Sequence, residues 1–334
     1  MMSSNLPAVP IAALLVGLAC GAPNQESPPV ETPTVGPESQ TEAPDIGLDE
    51  STSPGFVVRA VAVPPRESQT PDDELVMAAR DLMTDEGHER ACGPYTMYTD
   101  VEDEALLTTC EHLTSSLDAT YTRRYGLTPL GQPAEAIFLF TSLDQYRSFV
   151  RQQTRMPIGY AAHADAGRGY LALYTGDRSR QDIVETLIHE LTHLINRRAL
   201  GGNLPPWLSE GLADGIGDTA TEKGLQQIDG ANGAEAQASR LKMGYAAGQV
   251  PSITRLIEKD SGEFDAGTVS YDYEQSAFLV RLLLTDPELA RGFQAFLQAL
   301  ASGSVYAPGL FYKHMGLEAL ELDQRLEAWV RSTA

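Results

Sequence analysis

The chain has 334 residues, with 46 Asp and Glu against 24 Lys and Arg and a formal net charge of -22. So acidic a protein repels phosphate backbones and anionic membrane surfaces, which argues against nucleic acid as a partner. A hydrophobic share of 42% supplies a substantial core for one large or two ordinary domains.

The first 20 residues carry an apolar run from Ile11 to Ala19 followed by Cys20. That run is too short to span a bilayer as a mature helix and reads as an export signal. Val16-Gly17-Leu18-Ala19-Cys20 resembles the lipobox of bacterial lipoproteins, in which a small residue precedes a cysteine that is lipidated and becomes the mature N-terminus. The resemblance implies lipidation of Cys20 and a place in the cell envelope or at the surface, with membrane contact only through that anchor. Ordinary signal-peptidase cleavage is the other reading. From Gly21 to Pro71 the chain is dense in Pro, Glu, Ser, Thr and Gln, too polar to offset its conformational entropy, and is expected to be a disordered tether. Its apolar interruption, Phe56 to Val63, is alternatively an added edge strand.

Assigning Cys20 to lipid leaves Cys92 and Cys110 as an even pair. In an oxidising compartment a bridge between them would contribute about 3 kcal/mol through loop entropy. Two buried free thiols are the alternative.

The folded region is expected from Asp72 to the C-terminus, as an α+β unit: a mixed N-terminal part with a small sheet, then a mostly helical part, with a cleft between them. A helical pattern covers Asp73 to Thr84, a strand follows at Tyr95–Tyr98, and a long helix starts near Asp100 and runs through Tyr125. Ala136–Phe140 reads as a buried strand and Ser142 opens another helix. Gly169–Tyr174 is a strand bounded by glycine turns. Beyond Asp182 nearly everything reads as helix, broken at Gly201, Gly202, Pro205 and Pro206.

The segment from Ile183 to Arg198 is an amphipathic helix, with Ile183, Leu187, Leu191 and Leu194 on its buried face. Ser179 with Asp182 suits its start, and Gly201 with Gly202 its end. Within it stands His189-Glu190-Leu191-Thr192-His193. Histidines four apart on a helix differ by about 40° around the axis and about 6 Å along it, so both can converge on one tetrahedral ion. Glu190 then falls beside the ion as a general base, able to take a proton from water whose pKa the metal lowers to about 7. A catalytic zinc takes three protein ligands and keeps one position open. Past the Gly and Pro breaks comes Pro206-Trp207-Leu208-Ser209-Glu210-Gly211-Leu212-Ala213-Asp214, where Glu210 is the expected third ligand. Asp214, one turn on, suits the second N–H of a ligating imidazole. Gly211 and Gly215 are expected to let this helix approach the histidine helix closely. His88, His112, His163 and His314 read as ordinary surface or core residues.

With HELTH followed by PPWLSEGLAD, the chain resembles the gluzincin branch of zinc peptidases, in particular bacterial peptidase-MA-like domains of thermolysin and aminopeptidase type. The resemblance extends more loosely through TSLDQYRSFV, PSITRLI and YDYEQSAFLVRLLL. It implies a zinc-dependent peptidase with one Zn2+ and a peptide or protein substrate. It also implies an antiparallel edge strand above the active-site helix, matched here by Gly169–Tyr174, against which substrate pairs. A tyrosine assisting the oxyanion is implied as well, with Tyr273 the nearest match and Tyr271 second. The competing reading is a catalytically silent surface lipoprotein that uses the same scaffold to bind a partner.

Overall fold

Five short strands build one sheet: β1 (His88–Cys92), β2 (Tyr95–Thr99), β3 (Ala136–Phe140), β4 (Ala162–Asp165) and β5 (Tyr170–Tyr174). The computed structural model describes residues 72–130, 135–153, 161–202, 204–224, 231–264 and 270–333. The expected leader, Cys20 and the tether lie outside the described residues. Strand order is β1-β2-β3-β5-β4. The outer pairs β1/β2 and β4/β5 are antiparallel, while β2/β3 and β3/β5 are parallel, so the sheet is mixed.

Period-two alternation places Met97, Ile137, Leu139, Leu171 and Leu173 on one face. There they meet α2 (Glu104–Tyr125) and α4 (Arg180–Leu200). Phe138, Phe140, Tyr170 and Ala172 line the other face, which packs on α1 (Asp73–Arg80) and α3 (Leu143–Gln153). After α4 the chain is helical: α5 (Pro206–Gly224), α6 (Ala231–Ala246), α7 (Ile253–Glu258), α8 (Asp272–Thr285), α9 (Pro287–Ala301), α10 (Pro308–Met315) and α11 (Ala319–Ser332). The α+β reading therefore holds. Among the described residues no helix is long and apolar enough to cross a membrane.

Three expectations need correction. Gly169–Tyr174 is not the edge strand: β5 lies inside the sheet between β3 and β4, and the edge is Ala162–Asp165. A strand paired on both sides and covered on both faces reads as a continuous apolar run, as Tyr-Leu-Ala-Leu-Tyr does. Cys92 and Cys110 form no disulfide; both are free, buried thiols in the core between β1 and α2. Burial pushes Cys92 up to about 11 and Cys110 up to about 12, so both stay protonated and pack as small apolar groups.

The third correction concerns Gly211 and Gly215, which face α8 and α2 rather than α4. Glu210 and Asp214 occupy the α4 side of α5, and the next residue along a helix points about 100° away. A Cβ on Gly211 would stand 2.6 Å from the Ser276 carbonyl oxygen and 2.6 Å from Val280 Cγ2, and one on Gly215 would meet the Tyr125 hydroxyl at 3.1 Å. Gly211→Ala is therefore expected to destabilise the fold by about 1–3 kcal/mol through overpacking against backbone. Urea unfolding measures this, and an unchanged midpoint would show that α5 and α8 have room to separate.

Candidate metal centre

Helix α4 starts where the Ser179 hydroxyl accepts the Asp182 amide at 3.1 Å and ends at Gly201, whose φ of 91° suits glycine. Both ends match the sequence reading. Buried Ile183, Leu187, Leu191 and Leu194 fix the helix against the sheet and helices, which sets the direction in which His189 and His193 point.

The two Nε2 atoms face one another at 3.2 Å. Glu210, delivered by α5, places Oε2 3.3 Å from His189 Nε2 and 3.7 Å from His193 Nε2. Two donors bound tetrahedrally to zinc at about 2.0–2.1 Å lie about 3.3 Å apart, so the three separations fit one ion. Among the described residues, His189, His193 and Glu210 are the group whose ligand atoms converge in this way, all within 4.8 Å of one another.

The rings are held from behind. His189 Nδ1 lies 2.9 Å from Asp214 Oδ1 and His193 Nδ1 lies 2.9 Å from Ser209 Oγ. An Nδ1 proton on each ring serves those bonds and leaves both Nε2 lone pairs for a metal. Asp214 thus takes the place expected of it. Ser209 was not anticipated; its only sequence signal is its position beside Glu210. Ser209 is in turn anchored, because Asn196 Nδ2 donates to its carbonyl at 3.4 Å and the Tyr121 hydroxyl donates to Asn196 Oδ1 at 2.8 Å.

The charges of the three groups act on one another. Burial alone would depress His189, but the Asp214 and Glu210 carboxylates outweigh it and raise its pKa well above the ordinary value. Burial, with cationic His189 alongside, drives His193 well below it. Burial raises Glu210 against the pull of His189. Glu210 Oε2 makes no well-formed hydrogen bond, an orphaned buried acceptor of the kind a metal satisfies.

Glu190 is fully buried, and neither carboxylate oxygen has a regular hydrogen-bond partner. Burial lifts it to about 7; His189 draws it down and Glu210 pushes it up. The Ala164 amide on β4 also draws it down without reaching hydrogen-bonding geometry, which places Glu190 between α4 and the edge strand.

Tyr273, near the start of α8, is buried, with its ring edge-on to Phe264, the centroids 5.0 Å apart and the planes at 79°. Phe264 lines a recess that also takes in His193 and Glu210. Tyr271 donates its hydroxyl to Gln249 at 3.2 Å. Of the remaining histidines, His163 is buried on β4, while His88 and His112 are exposed and His314 is half-buried.

Asp214→Ala is expected to weaken metal binding about 10- to 100-fold, since an imidazole without its outer partner loses orientation and basicity. Competition against a chelator of known affinity reads this directly. Equal affinity in variant and parent would remove Asp214 from the site.

Compared with family models and with curated proteins, the chain matches none.

Proposed function

We propose that the protein is a zinc-dependent metallopeptidase of gluzincin type, with His189, His193 and Glu210 as ligands and Glu190 as general base. The observation that carries this reading is the convergence of three ligand atoms beside a buried carboxylate that has no structural partner. A structural zinc normally takes four protein ligands and needs no adjacent base.

Zinc bound there would supply Lewis acidity, lowering the pKa of water and polarising a scissile carbonyl. Glu190, held near neutrality by burial, would take the proton from the attacking water and pass it to the leaving amine. Asp214 and Ser209 keep the two imidazoles aimed inward. Tyr273 is the proposed oxyanion donor. Among the described residues β4 pairs only with β5, and a substrate backbone would add to its outer edge as a further strand.

Export, with lipid attachment at Cys20, belongs to the same proposal: an enzyme of the cell envelope or surface acting on peptides or proteins. The test is cleavage of a mixed peptide library by the zinc-loaded protein and by its Glu190→Gln variant. Cleavage by the parent and its loss in a zinc-retaining variant is the expected outcome. Zinc binding without cleavage in either would favour the silent binding module.

A further inference from the structure

The recess beside the metal triad carries a guanidinium in its wall. Its walls include Ala166, which follows β4, the apolar Leu204, Pro206 and Phe264, and Arg197 on the last turns of α4. The Arg197 side chain is half-buried and, among the described residues, makes neither an ion pair nor a hydrogen bond, although its charge draws the Glu135 carboxyl down. Its neighbour Arg198 is held at 2.8 Å by both oxygens of Asp118. Asp165, at the end of β4, directs a carboxylate oxygen to the Arg168 amide at 3.0 Å and is not within ion-pair reach of Arg197.

The guanidinium sits between two glycines. Its Nη1 lies 3.3 Å from where a Cβ on Gly202 would stand and 3.8 Å from one on Gly167, so neither of these two residues places a side chain against it. Beside a bound dication it makes a local positive field, which favours an anionic group and offers a carboxylate a planar, two-pronged partner.

The strand topology says which part of a substrate reaches it. Antiparallel pairing is the more stable way to extend a sheet. β4 runs from Ala162 to Asp165 towards Ala166, so a chain added antiparallel to it has its N-terminal portion at the Ala166 end, over the recess. We propose that this recess is a specificity pocket for an acidic side chain on the N-terminal side of the scissile bond, with Arg197 as its anchor. The inference rests on the peptidase reading and narrows its substrates to peptides cleaved after, or close after, Asp or Glu.

The test is binding, not turnover, on the full zinc-loaded chain. The probes are N-acetyl-glutamyl hydroxamate and N-acetyl-glutaminyl hydroxamate, nearly isosteric and different in charge, titrated calorimetrically. Their hydroxamate occupies the metal, so their side chain falls on the N-terminal side. The parent is expected to bind the glutamyl probe about tenfold or more tightly than the glutaminyl one, the scale of a charge-assisted hydrogen bond. That ratio should collapse to near unity in Arg197→Gln and be partly restored in Arg197→Lys. No preference in the parent, or a preference that survives Arg197→Gln, would overturn the pocket while leaving the metal site standing. Binding of neither probe would overturn the metal site, and the pocket with it.

Discussion

Glu190→Gln is expected to lower peptide turnover by about 100- to 10,000-fold while leaving zinc content unchanged, because a general base contributes on that scale and Glu190 is not a ligand. Glutamine preserves the shape of the side chain, so the loss would be chemical rather than steric. The same variant carries a second, opposite effect. Glu190 buries a carboxylate with no regular hydrogen-bond partner, an arrangement that costs stability in the metal-free fold. Replacing it with a neutral amide should raise the melting temperature of the metal-free protein even as it abolishes turnover. Such a trade marks a residue kept for function. A variant that lost turnover and stability together would instead point to a structural role for Glu190.

The second large effect is the dependence of stability on the metal. A ligand that binds only the folded state stabilises it by mass action, about 4 kcal/mol when free zinc is a thousandfold above its dissociation constant. Adding zinc to metal-free protein should therefore raise the unfolding midpoint strongly. Glu210→Ala should remove most of that gain, because two imidazoles without the third donor hold the ion far more weakly. His189 would still be held by Asp214 and His193 by Ser209, so the metal-free variant should fold. An undiminished zinc-induced shift in Glu210→Ala would assign the third ligand elsewhere.

The convergence of His189, His193 and Glu210 was legible in the sequence because its geometry is local. Two histidines four apart on one helix converge whatever the rest of the chain does, and the glycine and proline breaks signal the return that delivers Glu210. Asp214 followed from the same helical spacing. Ser209 did not: its bond to His193 depends on how α5 rotates against α4, which only packing decides. The same rotation sent Gly211 and Gly215 towards α8 and α2.

The central strands were readable for a similar reason. Ala136–Phe140 and Tyr170–Tyr174 are apolar throughout and bounded by turn residues. The edges were not. β1 reads His-Glu-Arg-Ala-Cys and β4 reads Ala-His-Ala-Asp, sequences too short and too poor in large apolar residues to stand out. Edge strands are commonly kept short and charged, which discourages pairing with other chains and also hides them from pattern reading. Missing β4 displaced the expected substrate edge onto β5. Cys92 and Cys110 show a further limit, since cysteine parity cannot separate a bridge from two thiols buried in one core.

The most direct test of the account is the zinc content of the purified full-length protein, measured beside that of Glu210→Ala after dialysis against a weak chelator. The account predicts one zinc per folded chain in the parent and its loss in the variant. A parent that is folded and takes up no zinc at micromolar concentration would contradict it.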